Sequence, residues 1–221
     1  MKKIAVIAAG GSGTRMGSET PKQFLLLKGK ALLWHSVKAF KDAFDDIEVI
    51  VVAPRDHLEE ARSICSEFNA MQFVAGGATR FASVKNGLQQ VKESSIVFVH
   101  DAVRCLVTKD LLMRCYDQAL AKGSAIPSIA AHDSIRMMEG TQHKVIDRNQ
   151  VRIIQTPQTF RSAIILSAFI EEEESFTDEA TVVEASGTSV HLIEGEYSNI
   201  KITRPVDLLV AEKILEERIN A

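Results

Sequence analysis

Cysteine is scarce: only Cys65, Cys105 and Cys115 occur in 221 residues. Their odd number and wide spacing, with neither a Cys-x-x-Cys pair nor Cys/His ligand spacing, argue against a disulfide scaffold and a structural zinc site. They read as ordinary thiols of a reducing compartment. An excess of one charge is also missing, since 26 Lys and Arg stand against 29 Asp and Glu for a net charge of −3. This balance leaves no global basic footprint for nucleic acid, so an anionic ligand must be held by local cations. Apolar runs of membrane-spanning length are absent, and the stretch after Lys2-Lys3 is short and broken by glycines, so neither a span nor a signal peptide is expected. The expectation is a cytoplasmic protein with no nucleic acid and no membrane among its partners.

Two well-known phosphate loops are missing as well. Gly11-x-Gly13-x-x-x-Gly17 does not fit the Gly-x-Gly-x-x-Gly dinucleotide fingerprint, and Gly-x-x-x-x-Gly-Lys-Ser/Thr does not occur. A nicotinamide dehydrogenase and a Walker-type NTPase both lose ground.

What is present is an apolar, strand-like run, Lys3 to Ala8, leading directly into Ala9-Gly10-Gly11-Ser12-Gly13-Thr14-Arg15-Met16-Gly17 and then Pro21-Lys22-Gln23. Glycines at such a turn let backbone N–H groups approach phosphate oxygens, and Arg15 and Lys22 add positive charge, which suggests a nucleoside triphosphate site. A Gly-rich turn also serves as a plain connector, but a connector has little use for two cations.

With 46% hydrophobic residues the chain can bury one sizeable core, so residues 1–221 are read as one α/β domain. Strand-like runs at Ile4 to Ala8, Ile47 to Ala53, Met71 to Val74, Ile96 to His100 and Ser124 to Ile129 alternate with helical spacing at Leu32 to Phe40, Leu58 to Phe68, Val84 to Val91 and Leu111 to Leu120. The alternation predicts a doubly wound, mostly parallel Rossmann-like sheet. Residues 132–152 break the rhythm: Ser134 to Met138 and Lys144 to Ile146 flank Glu139-Gly140 like a hairpin. A lone hairpin is marginal in water, so it is read as an arm and a dimer contact, with a solvated flap as the alternative. Beyond it the pattern predicts helices over Ser162 to Glu174 and Asp178 to Ser186, a strand at Val190 to Ile193 and a helix from Pro205 to Ile219. Thr177 is expected to cap the second of these, and Glu171 to Glu174 to be a solvated acidic end.

Asp101, in His100-Asp101-Ala102-Val103-Arg104, follows the run Ile96 to Val99, at the strand end where open α/β sheets place ligands. A carboxylate there suits Mg²⁺ bound together with nucleotide phosphates. Capping of the next turn, or a pair with Arg104, is its structural alternative, and His100 is read as a packing or hydrogen-bonding residue. Gly76-Gly77-Ala78-Thr79-Arg80-Phe81-Ala82-Ser83 is a second glycine turn, suited to a nucleobase or to a plain strand-to-helix connection. Arg148, Lys201 and the hydroxyls of Thr156 and Thr177 are suited to a phosphate monoester with polyol hydroxyls.

Eight ordered motifs, from the first loop at 10–16 through Pro21-Lys22-Gln23, Gly77-x-x-Arg80-x-x-Ser83, His100-Asp101-Ala102-x-Arg104, Asp147-Arg148, Thr156-Pro157-Gln158, Thr177-Asp178-Glu179-Ala180 and Asn199-Ile200-Lys201, run through the chain. In them the sequence resembles the 2-C-methyl-D-erythritol 4-phosphate cytidylyltransferases. The resemblance implies a nucleotide-diphospho-sugar transferase type of fold and transfer of CMP from CTP to the polyol phosphate, with Mg²⁺ at Asp101. It implies Arg15, Lys22 and Lys201 as catalytic cations, and places the nucleotide against Ala9, Gly10, Gly11, Gly13, Gly77, Arg80, Ser83 and Asp101. The polyol phosphate is placed against Ser134, Arg148, Thr156, Thr177 and Lys201. The arm is expected to exchange across a homodimer, so that Ser134 and Arg148 serve the partner's site. Gly10, Ala78 and Cys105 stand where the family commonly has Ala, an acidic residue and Pro. The competing readings are a ribitol 5-phosphate cytidylyltransferase and, from another class, a non-catalytic nucleotide-binding module.

Overall fold

The computed structural model describes residues 1–10, 20–170 and 176–219. Along the chain, β1 (Lys2–Ala8), a 3-10 turn (Lys22–Phe24), the short strands β2 (Leu26–Leu27) and β3 (Lys30–Ala31), α1 (Leu32–Ala43) and β4 (Glu48–Ala53) come first. Next are α2 (Leu58–Ile64), β5 (Met71–Ala75), α3 (Arg80–Leu88), β6 (Ser95–Asp101), α4 (Lys109–Lys122) and β7 (Ser124–Ala130). The hairpin β8 (Ile135–Glu139) and β9 (Gln142–Ile146) precedes β10 (Arg152–Ile154), β11 (Gln158–Arg161), α5 (Ser162–Ala168), α6 (Glu179–Ala185), β12 (Leu192–Glu194) and α7 (Pro205–Ile219).

The central sheet runs β10-β7-β11-β6-β1-β4-β5, with β12 paired to β7. β5, β4, β1 and β6 are parallel, β7 and β12 share their direction, and β10 and β11 oppose it. Period-two alternation divides the sheet's side chains between two cores. On one face Ala5, Ile7, Val49, Val51 and Phe98 meet Leu33, Val37 and Phe40 of α1, Ala61 of α2 and Leu111 and Cys115 of α4. On the other, Ile4, Val6, Ile50, Val52, Val97 and Val99 meet Phe81, Val84 and Leu88 of α3, Ile165 of α5 and Val182 and Val183 of α6. The sheet is therefore doubly wound and mostly parallel. A third cluster, Leu27, Leu32, Val103, Leu106, Ile202 and Ala211, seats α7. Gly87 lets α3 approach the sheet, since a Cβ there would stand 2.6 Å from Val6 Cγ1.

Several expected boundaries move. The helix expected over 162–174 ends at Ala168, because Phe169 leaves helical geometry and stacks on Phe81 with ring centroids 4.7 Å apart; Glu171 to Glu174 lie outside the described residues. Asp178, and not Thr177, caps α6: its Oδ1 accepts the Thr181 N–H at 2.9 Å. α3 begins at Arg80 rather than Val84, because Thr79 Oγ1 accepts the Ala82 N–H and opens the helix a turn early. α2 is shorter than expected, and the strand near Val190 starts at Leu192.

The larger surprise is β10 and β11, which lie consecutively along β7. Ile154 faces Ser128 whereas Thr159 faces Ala125, so Gln155-Thr156-Pro157-Gln158 span the width of only Ile126 and Pro127. The extra length makes a bulge, and bulges re-aim side chains. Here it directs Thr156 toward the end of β6, where its Oγ1 accepts the Asp101 N–H at 3.1 Å.

Candidate active site

Winding reverses at β1. From it the chain moves outward through β4 to β5 and returns to add β6 on the opposite edge, so the switch point lies between β1 and β6. Ligands of open α/β sheets bind outside the carboxyl ends of the strands at such a point. Ala8 and Asp101 are register partners there, the last pair of the β1–β6 ladder.

A cleft of about 390 Å³ opens over this end, lined by Ala8, Ala9, Gly10, Lys22, Gln23, Gly77, Ala78, Thr79, Arg80, Ser83, Asp101, Val103 and Lys201. A smaller lobe of about 160 Å³ shares Arg80, Asp101 and Lys201, and adds Arg104, Ile154, Gln155, Thr156, Gln158, Thr177 and Asp178. Among the described residues that line the larger lobe, Lys22, Arg80 and Lys201 accompany a single carboxylate, Asp101. This local excess of positive charge suits an anionic ligand in a chain whose net charge is negative.

The glycine turn after β5 is built on Ser83. Its hydroxyl donates to the Thr79 carbonyl at 2.8 Å and accepts the Gly77 N–H at 3.1 Å. A Cβ on Gly77 would lie 2.5 Å from Ala82 Cβ, so the turn can pack against the start of α3 only because residue 77 lacks one. Opposite, Gln23 Nε2 donates to the Ala9 carbonyl at 2.6 Å and ties Pro21-Lys22-Gln23 to the end of β1.

Asp101 sits at the centre. Its Oδ1 accepts from Arg80 Nε and Nη2 at 3.3 and 3.2 Å, its Oδ2 accepts from Lys201 Nζ at 2.8 Å, and Arg104 Nε stands 3.9 Å away. Burial on its own would raise its pKa, but Arg80, Lys201 and Arg104 outweigh it and hold the carboxyl well below the usual range. The pair with Arg104 that the sequence offered as an alternative exists, but it is the longest of the three.

His100, beside it, is buried, and burial pushes its imidazole down to about 4. Its Nε2 donates to the Arg104 carbonyl, at 3.2 Å, which leaves Nδ1 to accept from Thr156 Oγ1 at 3.0 Å. The Thr156 hydroxyl is thus spent on its neighbours: its proton goes to His100 and one lone pair to the Asp101 N–H.

The structure brings together Ala9, Gly10, Lys22, Gly77, Arg80, Ser83, Asp101 and Lys201 around the larger lobe, and Thr156 and Thr177 around the smaller one. Ser134 and Arg148 line neither. Both are exposed at the base of the hairpin, where Arg148 Nη1 donates to the His132 carbonyl at 2.6 Å. Gly11, Gly13 and Arg15 lie outside the described residues. Sequence reasoning missed Arg104 and Gln155 as lining residues and Glu179 as the buried partner of Arg80. Arg104 was legible from its place in the His100–Arg104 motif; the burial of Glu179 had no local signal.

The fold and the cleft define an α/β protein with a cation-lined anion site at a topological switch point, the arrangement of a nucleotide-handling enzyme. The family model described as IspD: 2-C-methyl-D-erythritol 4-phosphate cytidylyltransferase matches residues 3–217. The chain belongs to that family, and it is a cytidylyltransferase. It is 41% identical over 219 residues to the 2-C-methyl-D-erythritol 4-phosphate cytidylyltransferase of Bacteroides fragilis, covering 97% of this chain and 100% of that one. The Porphyromonas gingivalis enzyme of the same name is 42% identical over 97% of this chain and 98% of its own. Among solved structures, the Thermus thermophilus 2-C-methyl-D-erythritol 4-phosphate cytidylyltransferase superposes with a TM-score of 0.80 at 32% identity, over 98% of this chain and 100% of that one. Among the described residues, no helix is long and apolar enough to cross a membrane.

Proposed function

We propose that this protein transfers the cytidylyl group of CTP to 2-C-methyl-D-erythritol 4-phosphate, releasing pyrophosphate and forming 4-diphosphocytidyl-2-C-methyl-D-erythritol. The observation that carries this reading is the meeting of the two lobes at Arg80, Asp101 and Lys201. With CTP in the larger lobe and the polyol phosphate in the smaller, the two phosphates approach each other at that junction. A phosphate oxygen of the polyol attacks the α-phosphorus, the bond from that phosphorus to the bridging oxygen breaks, and pyrophosphate leaves with the electron pair.

The chain's own part is positioning and charge. Lys22 and Lys201 oppose the charge that gathers on the phosphorus oxygens, and Arg15, in the loop that matches the family's, belongs to the same set. Ser83 and the glycine turn at Gly77 hold the nucleotide side. Arg104, Thr177 and Lys201 line the side of the polyol phosphate.

Mg²⁺ fits Asp101. An ionised carboxylate offers about four lone-pair sites, and Arg80 and Lys201 occupy three of them, leaving one on Oδ2. Among the described residues no three His, Cys, Asp or Glu side chains gather to hold a metal, so phosphate oxygens would complete the shell, as Mg²⁺ prefers. When bound, the ion supplies neutralisation of phosphate charge.

The arm supports a homodimer in which Ser134 and Arg148 reach the partner's smaller lobe. Among the described residues β8 and β9 pair only with each other, and Met137, Met138 and Val145 are exposed on them. The deciding assay supplies CTP, Mg²⁺ and each polyol phosphate in turn and measures pyrophosphate release. Turnover is expected with methylerythritol phosphate; turnover with ribitol 5-phosphate alone would overturn the substrate, and none with either would leave a binding module.

A further inference from the structure

Glu179 lines neither lobe, yet it holds the guanidinium that both lobes share. Its carboxylate is buried, with a relative exposure of 1%. It takes the Arg80 fork, Nη1 to Oε1 at 2.5 Å and Nη2 to Oε2 at 3.1 Å. The other edge of Arg80, Nε and Nη2, falls on a single oxygen of Asp101 at 3.3 and 3.2 Å. A two-oxygen fork is the stronger arrangement. Arg80 is therefore anchored on Glu179 and merely leans on Asp101.

We propose that Glu179 is a positioning residue of the transfer site: by occupying one edge of Arg80 it stops the guanidinium from closing as a fork on both oxygens of Asp101. Oδ2 of Asp101 is thereby left to Lys201 and to whatever the substrates bring. The charge of Glu179 is not needed to hold its own helix. Asp178 caps α6 through the Thr181 N–H, and the Ala180 N–H donates to Gln158 Oε1 at 2.6 Å, so two other side chains fix the start of α6. What remains for the carboxylate is Arg80. The pair also links the start of α6, where Thr177 and Asp178 face the smaller lobe, to the start of α3, where Thr79 faces the larger.

The kinetic part of the test rests on the proposed transfer, with pyrophosphate release as readout. Glu179→Gln keeps the shape and removes the charge. It is expected to lower kcat by about 10- to 100-fold, the usual cost of losing an outer partner of a metal site's ligand, here Asp101 reached through Arg80. CTP affinity by calorimetry should stay close to that of the wild type, while the melting temperature should fall, because Arg80 loses the buried charge that pairs it. In an Arg80→Met background the same substitution should cost nothing further, because its route to Asp101 is gone. An unchanged kcat, or an equal additional loss in the Arg80→Met background, overturns the proposal. Should Glu179→Gln fail to fold, Glu179→Asp, which keeps the charge but shortens the reach, is expected to lower kcat while leaving CTP affinity in place; a wild-type kcat in it overturns the proposal. Independently of turnover, the Arg80 NεH signal in ¹⁵N spectra should move in the Glu179 variant that folds, and a signal unmoved there also overturns it. A wild-type protein that releases no pyrophosphate sinks the transfer reading instead, and the ¹⁵N readout then judges Glu179 alone.

Discussion

Lys201 Nζ stands 2.8 Å from Oδ2 of Asp101, although the two residues lie far apart along the chain. Asp101 ends β6, while Lys201 lies in the segment between β12 and α7. The contact closes the junction of the two lobes.

Because Lys201 and Lys22 both line the larger lobe, each is expected to act on the transferring phosphorus. Lys22→Ala and Lys201→Ala should each slow pyrophosphate release by roughly 10²-fold or more, the scale of removing one preorganised charge. Lys201→Ala should also lower the melting temperature modestly, since Lys201 helps to hold the buried Asp101 carboxylate ionised. A wild-type rate in either variant would remove that lysine from the mechanism.

Arg148 separates the arm's role from the cleft's. Arg148→Ala should raise the KM for the polyol phosphate while CTP affinity holds. If the arm serves the partner subunit, mixing Arg148→Ala with Lys22→Ala under conditions of subunit exchange should give activity above either variant alone, since one site per mixed dimer is then intact. Activity that merely averages the two variants would place Arg148 elsewhere.

Acid should act on Asp101. Its carboxyl is held below its ordinary value, so its contribution to stability is present above about pH 4, the unfolded value, and is lost as pH falls toward the folded one. Melting temperatures of the wild type should therefore fall through this acid range. Asp101→Asn should show a shallower acid slope, and identical slopes would contradict the charge assignment.

Gly87 tests the packing behind the site. Gly87→Ala places a Cβ 2.6 Å from Val6 Cγ1 and 2.8 Å from Val52 Cγ2. Overpacking of this kind costs about 1–3 kcal/mol, which thermal unfolding would register as a lower midpoint. No change would mean that α3 can lift off the sheet freely.

Much of the architecture was readable because it is local. β1, β4 and β6 are continuous apolar runs, as strands buried on both faces must be, and the helices between them repeat at helical spacing. β11 was not readable. Gln158, Thr159 and Phe160 lie buried between β6 and β7, but a short, polar stretch after a proline carries no strand period. Its polar side chains are tolerated in part by contacts far along the chain, such as Gln158 with the Ala180 N–H.

By itself, the sequence determined the class of sheet, the glycine turns at strand ends, the cations near them and the family. Tertiary structure decided which charges meet. Thr177-Asp178-Glu179 reads as a helix start capped by Thr177, yet Asp178 is the cap, while Glu179 goes inside to Arg80. The reason is that strand and helix patterns repeat within a few residues, whereas a buried carboxylate is stable only beside a cation brought from a distant segment.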